Sequence, residues 1–456
     1  MNRSLTRGLL GTYALLAASM LAAVFWQVGG CASDDVGYHG AVVEQGANST
    51  LTPEQKQSIL DRTARLVEQR AFADGTDFSR WKTILAKYQQ RVDDAETSEQ
   101  LSRVLNRALN DFGISHLDLL DPKQAKDRKE DSFGGIGVTV QAAPDAIVLT
   151  EIREDSPADK AGLRSGDRVI QIDGKSVADL MADRADEDRP LSMIRGEIGT
   201  TVNLTVERKD QPTFTVPVIR AEISKGLPPK LTRVGDDAAV LTLASFTEAY
   251  DRTKVEQLIT RARERQKLII DLRNNGGGAV SNLGHLLGLL LPPGTKVGSF
   301  VSKSDAAKYE RETGTSPKDA VALAEWKSQK FRTRAGNVEP FEGQVAVLIN
   351  GASASASEIL AAAMRELRGA PLVGTPTAGA VLLSTYVRME GGFEMKVPTS
   401  DYVTIKGHRL EKDPLKPDVR VFSSSRARRS ATEDPAIKAA LEALSEKAEA
   451  GRLPQG

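Results

Sequence analysis

Cysteine and histidine are both scarce in this chain of 456 residues. Cys31 is the only cysteine, so no disulfide can form within the chain. The four histidines are scattered, and no Cys/His cluster has the spacing of a metal site. We therefore expect neither a metal nor another cofactor.

Neither acidic nor basic side chains are in excess. The 61 basic and 61 acidic side chains give a formal net charge of +0. Nucleic acid is therefore not an expected partner, because phosphate binding needs a basic surplus. Aromatic residues make up only 5% of the chain, but a hydrophobic content of 40% is sufficient for buried cores. The length indicates two or three domains.

One long apolar run stands near the N-terminus, from about residue 9 to residue 26. Arg3 and Arg7 precede it and small residues follow it, which is typical of an export signal. Residues 28–31, Val-Gly-Gly-Cys, resemble a bacterial lipobox, in which Cys31 is lipidated and becomes the new N-terminus. The alternative is an uncleaved anchor helix, since the run is nearly long enough to span a bilayer. Both predict an exported protein held at a membrane of the cell envelope or in the periplasm.

The spacing of apolar residues divides the rest of the chain into segments. Thr52 and Pro53 are suited to the N-cap and first position of a helix, and apolar residues then recur at helical spacing. Short β-rich runs follow, and strands and helices alternate after about residue 223. The predicted segments are a signal peptide (1–31), a tether (32–51), an N-terminal helical domain (52–125), a β-rich domain (133–222), an α/β domain (223–422) and a C-terminal basic loop with a helix (423–456).

Three glycines, Gly134, Gly135 and Gly137, open the β-rich domain. They allow successive backbone N–H groups to converge on an anion. With residues 156–174 (SPADKAGLRSGDRVIQIDG), this loop resembles a PDZ domain. The resemblance implies that Gly135, Ile136 and Gly137 bind the C-terminal carboxylate of a peptide, which adds as a strand to the sheet edge. The alternative is a glycine turn in an ordinary β-domain.

Three serines, Ser353, Ser355 and Ser357, alternate with alanines between a buried strand and a helix. A hydroxyl at a helix N-terminus lies beside unsatisfied N–H groups, which can stabilise a developing oxyanion. The pattern from Ser355 to Glu358 is also typical of a capping box, which this stretch alone favours. Both interpretations remain open on this stretch alone.

A second stretch, Asp271–Gly278 (DLRNNGGG), places three glycines directly after a buried strand, where the backbone can approach a ligand closely. Together with Gly351–Ile359 (GASASASEI), it resembles the tail-specific, or carboxyl-terminal processing, serine peptidases. The resemblance covers about residues 52–420. It implies a PDZ domain inserted in a crotonase-like (ClpP-like) α/β peptidase core, with protein or peptide substrates engaged through their C-termini.

The same resemblance implies the roles of three residues. The middle serine, Ser355, would be the nucleophile. The oxyanion donors would be the backbone N–H groups of Ala356 and Gly277. Gly277 is favoured over Gly276 because many relatives carry proline at the latter position, and proline has no N–H.

The chain differs from most bacterial members of this family at the residue that acts as the catalytic base. Those members use a Ser–Lys dyad, with the lysine 25 residues after the serine, but here that residue is Ala380. A methyl group cannot accept a proton, so the dyad is excluded. The protein is therefore either inactive or uses another base.

Two runs instead resemble the tricorn-type branch of the superfamily: Gly113–His116 (GISH) and Pro376–Gly379 (PTAG). That resemblance implies His116 as the general base, assisted by Ser115.

A third run, Glu411–Asp418 (EKDPLKPD), places Glu411 where that branch has its catalytic glutamate, although Pro414 and Leu415 depart from the pattern. Glu411 would orient the imidazole, directly or through Ser115.

The other three histidines are weaker candidates. His39 lies in the tether, His285 in a helix, and His408 lies three residues before Glu411. The sequence thus predicts an exported, membrane-tethered serine endopeptidase that binds protein C-termini. The alternative is a catalytically inactive peptide- or ligand-binding scaffold of the same fold.

Overall fold

The computed structural model describes residues 50–129, 132–143, 145–153, 155–182, 189–224, 226–247, 249–422 and 432–450. The predicted signal peptide with Cys31, His39 in the tether, and most of the basic loop lie outside the described residues. Within the described ranges, no helix is both long and apolar enough to cross a membrane.

The N-terminal part is helical, as its periodicity predicts. Its elements are α1 (Pro53–Arg70), α2 (Trp81–Ala86), α3 (Gln89–Asp94), α4 (Ser98–Asn110), β1 (Asp118–Leu120) and α5 (Pro122–Lys129). Helix α1 begins at the expected N-cap, because the Thr52 hydroxyl accepts the N–H of Gln55 and the Gln55 side chain accepts the N–H of Thr52.

The β-rich domain follows. Its elements are β2 (Ser132–Gly135), β3 (Val138–Ala143), β4 (Ala146–Ile152), α6 (Pro157–Lys160), β5 (Arg168–Ile172), β6 (Lys175–Ser176), α7 (Val177–Ala182), α8 (Arg189–Ile194), β7 (Thr201–Glu207), β8 (Phe214–Ile219) and β9 (Ala221–Ser224). An antiparallel sheet has the order β3-β4-β5-β7-β8, so β3 is an edge strand. The chain enters and leaves the domain through a separate two-stranded ribbon of β2 and β9.

The α/β part carries the remaining elements. They are β10 (Lys230–Val234), β11 (Ala238–Thr242), α9 (Arg252–Ala262), β12 (Lys267–Asp271), α10 (Val280–Gly288), β13 (Lys296–Ser302), α11 (Lys303–Thr313), α12 (Ala320–Trp326), β14 (Phe331–Arg332), β15 (Gln344–Ile349), α13 (Ala356–Arg368), β16 (Leu372–Gly374), β17 (Leu382–Arg388), β18 (Glu394–Thr404), β19 (Val419–Arg420) and α14 (Pro435–Ala450).

The main sheet has the order β10-β11-β12-β15-β16-β19 and is parallel from β11 onward. Alternate residues of the central strands face opposite layers. Ile270, Val347 and Ile349 pack with α9, α10 and α13, whereas Ile269 and Leu348 pack with α14. Because β12 and β15 are adjacent and parallel, the turns at their carboxyl ends meet at one edge of the sheet.

The second sheet joins the helical part to the core. It contains β1, β18, β13 and β14, with β17 paired to β18, and all its pairs are antiparallel. Trp81 and Leu105 of the helices pack against Leu119 of β1 and Met395 of β18. This packing fixes the segment that precedes β1. The predicted α/β class, with an N-terminal helical part and a β-rich insertion, is confirmed.

Candidate active site

The three serines between β15 and α13 have different environments. Ser353 and Ser357 are fully buried, and their hydroxyls donate to the backbone oxygens of Leu272 and Asn275, each at 2.8 Å. Ser355 is half-buried and is the N-cap residue of α13. Two of the serines are therefore structural, and only Ser355 is accessible.

The backbone of Ser355 is strained, with φ 56° and ψ −117°. These angles lie outside the small left-handed region that non-glycine residues visit. Among the described residues, seven non-glycine residues have positive φ, and His116, Asn274 and Lys412 are also among them. Strain of this kind concentrates at functional sites. All four residues lie in turns of the candidate active site.

Glu358 ties the serine turn to the loop that contains Ala380. Its buried carboxylate accepts the N–H groups of Ser355, Gly379 and Ala380 at 3.1, 2.9 and 3.0 Å, and the Thr377 hydroxyl at 2.6 Å. Burial raises the pKa of Glu358, although these four donors oppose the shift. Glu358 thus makes the hydrogen bond to the Ser355 N–H that a capping box requires. The same carboxylate also holds the neighbouring loop from Thr377 to Ala380.

Asn275 connects the glycine run to the serine turn. Its buried side chain donates to the Leu243 oxygen at 2.8 Å and accepts the Gly277 N–H at 2.9 Å, while its backbone oxygen accepts the Ala354 N–H at 3.1 Å. Asn275 therefore fixes both turns against each other. Sequence reasoning missed this role, although Asn275 lies inside the quoted glycine-containing run.

The two expected oxyanion donors lie side by side. A Cβ built on Gly277 would lie 2.8 Å from the Ser355 Cβ and 3.0 Å from the Ala356 nitrogen. Ala356 is the first residue of α13, and its N–H has no acceptor among the described residues. The Gly277 N–H, in contrast, is already accepted by Asn275, so this structure does not offer it to a ligand.

On the other side of the site, Glu411 organises Ser115. The buried carboxylate accepts the Ser115 N–H at 2.8 Å through one oxygen. Its other oxygen accepts the Ser115 hydroxyl at 2.9 Å and the Val381 N–H at 2.8 Å. The Ser115 Oγ lies 2.6 Å from the His116 Nδ1. Glu411 therefore acts on the imidazole through Ser115.

These contacts determine the tautomer of His116. The Ser115 hydroxyl has one proton, which it donates to the Glu411 carboxylate, because an ionised carboxylate can only accept. The Ser115 Oγ must then accept the hydrogen from His116 Nδ1. In a neutral imidazole this leaves Nε2 with a free lone pair, which is what a general base needs.

One peptide unit separates Ser355 from this network. The Ala380 carbonyl accepts the Ser355 N–H at 3.0 Å, and the Val381 N–H of the same peptide donates to Glu411. In a trans peptide the C=O and N–H groups point in opposite directions. Ser355 and Glu411 therefore lie at opposite edges of the same peptide unit. In the described part of the chain, no hydrogen bond joins the Ser355 hydroxyl to His116.

Burial, and to a smaller extent the charge of Lys396, favours the neutral form of His116. Burial of the imidazole, reinforced by the Lys396 ammonium, lowers the pKa of His116 to about 3. Burial also raises the pKa of Asp118, which Lys396 opposes. At neutral pH the His116 imidazole is therefore uncharged, but a pKa this far below neutral also makes it a weak base in this arrangement. Lys396 and Asp118 carry no motif that could have drawn attention to them in the sequence.

The other two described histidines are engaged elsewhere. His285 bonds to the Tyr250 hydroxyl and to the Glu256 carboxylate, each at 3.0 Å. His408 is largely exposed and lies 3.1 Å from Glu366. Within the described residues, no group of three or more His, Cys, Asp or Glu side chains could hold a metal ion.

In the β-rich domain, the predicted carboxylate-binding loop lies beside the edge strand β3. Gly137 has φ 79°, and a Cβ there would lie 2.4 Å from the Ser156 Cβ, so only glycine fits. The carbonyl groups of Ile136 and Gly137 accept N–H groups of the domain at 2.9 Å. The N–H groups of Ile136 and Gly137 have no acceptor among the described residues, and Gly135 ends strand β2.

Comparison with known families identifies two parts of the chain. Residues 237–421 match the model of peptidase family S41, and residues 134–218 match the model of the PDZ domain. The chain is similar to the carboxy-terminal-processing protease of Bartonella bacilliformis, with 28% identity over 331 residues, which is 70% of this chain and 70% of that protein. It is also similar to the carboxy-terminal processing protease CtpB of Bacillus subtilis, with 25% identity over 84% of this chain and 75% of that protein.

Two further comparisons concern length and fold. The match to a "Probable CtpA-like serine protease" of Staphylococcus haemolyticus has 27% identity and spans 75% of this chain, but only 64% of that protein's length. Among solved structures, the photosystem II D1 C-terminal processing protease superposes with a TM-score of 0.55 at 20% identity. That match covers 85% of this chain and 100% of that one, and it shows a shared fold.

Proposed function

We propose that this chain, which belongs to the S41 family of serine peptidases and carries a PDZ domain, is an endopeptidase with Ser355 as nucleophile and His116 as base. The observation that carries the proposal is the series of hydrogen bonds from Glu411 through Ser115 to His116 Nδ1. These bonds leave Nε2 free to accept a proton. Ala380 stands at the position where most bacterial relatives have the catalytic lysine.

The reaction follows ordinary acyl transfer. His116 Nε2 takes the Ser355 proton while Oγ attacks the peptide carbonyl, and the Ala356 N–H donates to the oxyanion that forms. The imidazolium then protonates the leaving amine, which gives an acyl-enzyme on Ser355. Water, deprotonated by His116, releases the acid product. His116 must approach Ser355 for the first step, and catalytic contacts commonly tighten when substrate binds.

The second oxyanion donor comes from the glycine run. Gly277 is the candidate because it lies against Ser355 and Ala356. Its N–H must exchange Asn275 Oδ1 for the substrate oxygen, or share its hydrogen between the two. The alternative of an inactive binding scaffold draws on this engaged amide and on the missing Ser355–His116 hydrogen bond.

Substrates are proposed to be proteins or peptides that present a free C-terminus to the PDZ domain. The amides of Ile136 and Gly137 have no acceptor in the described chain, and β3 is an edge strand beside them. A peptide can therefore add as a strand while these amides bind its carboxylate. Amidation of a peptide C-terminus should weaken its binding, and equal affinity for acid and amide would refute this role.

Export and membrane attachment are also part of the proposal. They rest on Arg3, Arg7, the apolar run and the lipobox-like residues 28–31. Mass spectrometry of the mature N-terminus tests them, since a lipid on Cys31 supports a lipoprotein. An intact N-terminus in the membrane fraction would indicate the anchor helix instead.

The catalytic proposal is tested with protein lacking residues 1–31. Cleavage of an unstructured protein is followed for wild type, Ser355→Ala, His116→Ala and Lys406→Ala, the last being an exposed lysine whose backbone N–H bonds to Glu366. Loss of activity in the first two variants only supports the histidine mechanism. Loss with Ser355→Ala and Lys406→Ala alone would mean a relocated lysine base. No activity in any protein would favour the binding scaffold.

A further inference from the structure

Lys412 lies in the turn that presents Glu411 to the site. The Asp413 N–H donates to the Leu410 oxygen at 3.2 Å, and the φ of Lys412 is 65°. A positive φ at the third residue of such a four-residue turn favours glycine, since a Cβ there crowds the backbone. Lysine therefore adds strain that glycine would avoid, and strain of this kind directs attention to function.

The Lys412 side chain reaches the segment that carries the proposed base. Its ammonium is 4.0 Å from the position that a Cβ on Gly113 would occupy, and its backbone N–H donates to the Gly379 oxygen at 2.8 Å. Gly113 lies three residues before His116, so the two Cα atoms are within about 11 Å of each other. Because Lys412 and Gly113 are both exposed, the ammonium lies at the accessible edge of the site.

This ammonium has no partner in the fold. Among the described residues, it forms no hydrogen bond and no ion pair within 4.0 Å. Asp111, near the start of the same segment, is paired with Lys87 at 3.3 Å. The Glu411 carboxylate is occupied by the three donors described above, and the exposed Asp413 forms no ion pair in the described part of the chain. The positive charge is therefore available to a ligand.

The proposed reaction places this charge on the leaving-group side of the substrate. The His116 imidazolium protonates the leaving amine, so the substrate residues that follow the cleaved bond lie on the side of the base. An extended peptide advances about 3.3 Å per residue. A side chain that reaches the start of the His116 segment is therefore within about three substrate residues of the cleaved bond.

We propose that Lys412 selects substrates that carry a carboxylate within about three residues after the cleaved bond. This inference rests on the proposed function and narrows its substrate class. The carboxylate is that of an Asp or Glu side chain, or the free C-terminus of a substrate that is cut near its end. Either one gives the ammonium the charged partner that the fold does not provide.

A digest of a peptide library tests the inference. Protein lacking residues 1–31 cleaves the library at low salt, and mass spectrometry counts the residues after each cut. Wild type should prefer Asp and Glu over Asn and Gln by about two- to fivefold, as expected for an exposed ion pair. Lys412→Met should lose this preference, and Lys412→Glu should reverse it toward Lys and Arg. Lys406→Met, which removes another exposed lysine, is the matched control and should keep it.

Binding gives a readout that does not depend on turnover. In a Ser355→Ala background, three fluorescent peptides are compared: one with Glu and an amidated C-terminus, the same peptide with Gln, and the Gln peptide as a free acid. Tighter binding of the first identifies a side-chain carboxylate, and tighter binding of the third identifies a C-terminal one. The PDZ domain also favours the free acid, so only the part of the preference that Lys412→Met removes is assigned to Lys412.

Lys412→Gly separates substrate binding from a role in folding. Because glycine suits the positive φ, its free energy of unfolding should be equal to or higher than that of wild type, while the charge preference is lost. A large loss of stability would assign the lysine to the fold and overturn the inference. A preference that persists in Lys412→Met, or no preference in wild type in either assay, also overturns it. If Lys412-dependent binding is found but wild type cleaves no peptide, Lys412 binds the carboxylate and the proposed peptidase function fails.

Discussion

The serine turn and the His116 segment form the two halves of the proposed site, and they are built in different ways. Ser355 lies at the carboxyl ends of adjacent parallel strands, where Ser353, Ser357 and Asn275 bond to backbone groups of the neighbouring turns. His116 precedes a strand of the other sheet and joins the serine side through Glu411. The proposed nucleophile is thus held within one packed unit, whereas the position of the proposed base depends on the contact between two sheets.

This difference indicates which half is more vulnerable. The serine turn contains several independent hydrogen bonds, so the loss of one leaves others in place. The His116 segment is connected through a single carboxylate, that of Glu411. Changes on the histidine side should therefore affect catalysis more than folding, whereas changes of the hydrogen-bonding residues Ser353, Ser357 and Asn275 should affect folding first.

The largest effect is expected for Glu411→Gln. The amide has nearly the same shape, but it replaces one acceptor oxygen by an NH₂ group, which only donates. It can therefore no longer accept the Ser115 N–H through one oxygen and the Ser115 hydroxyl and Val381 N–H through the other, so at least one donor of this network faces the NH₂ group and the position of Ser115 beside His116 is disturbed. We expect kcat to fall by about 10²- to 10⁴-fold with a small change in KM. Steady-state kinetics check this. A decrease in kcat of less than about threefold would contradict the role of Glu411 in positioning His116.

Asn275→Ala should destabilise the serine side most. It leaves the Leu243 oxygen and the Gly277 N–H without their partner inside the core. We expect the free energy of unfolding to fall by about 2–4 kcal/mol. Denaturant unfolding checks this, with Asn337→Ala as an exposed control that should change it by less than about 0.5 kcal/mol. Equal effects of the two substitutions would show that Asn275 is not a structural centre.

His116→Gln should change how stability depends on pH. Because the folded-state pKa is about 3 and the unfolded value is near 6.5, the unfolded chain binds more protons between these values. The stability that this residue contributes is fully present above pH 6.5 and is lost as pH falls below it. His116→Gln should remove up to about 1.4 kcal/mol per pH unit from this slope, and less to the extent that water screens the half-buried ring.

Measurements of unfolding free energy from pH 7 to pH 4.5 test this effect. His408→Gln is the control, since that side chain is largely exposed. A slope that does not change in His116→Gln would mean that the imidazole is not held neutral in the folded protein.

The smallest effect is expected for Ser357→Ala. Its hydroxyl donates to the Asn275 oxygen, which also accepts the Ala354 N–H, so no buried acceptor loses its last partner. We expect a loss of about 1 kcal/mol in stability and little change in kcat. Unfolding curves and kinetics check both. A loss of activity as large as that of Ser355→Ala would mean that the nucleophile is misassigned.

Much of this arrangement could be predicted from sequence. The family resemblance is confirmed for carboxyl-terminal processing peptidases, because the runs around Asp271 and Ser355 are specific in residue type and spacing. The tricorn-type branch, with His116 as base, stays a prediction. The α/β class was predictable because strand and helix periodicities differ and alternate along the chain.

Other features could not be read from sequence. The Gly277 amide is engaged by Asn275, a contact two residues apart that only the turn geometry reveals. Lys396 and Asp118 are 278 residues apart and carry no motif, yet strand pairing places them opposite each other. Nothing in the local sequence around Glu358 indicated that its carboxylate also holds the loop up to Ala380.

The sequence by itself determined the chemical groups: three alternating serines, a glycine run, an alanine in place of the usual lysine, and a histidine that follows a serine. Tertiary structure decided how these groups are used. It buried Ser353 and Ser357 and left Ser355 accessible, and it directed the Ser115 hydroxyl to Glu411. The physical reason is that burial, hydrogen-bond partners and neighbouring charge depend on which distant segments pack together, and these three determine protonation and access.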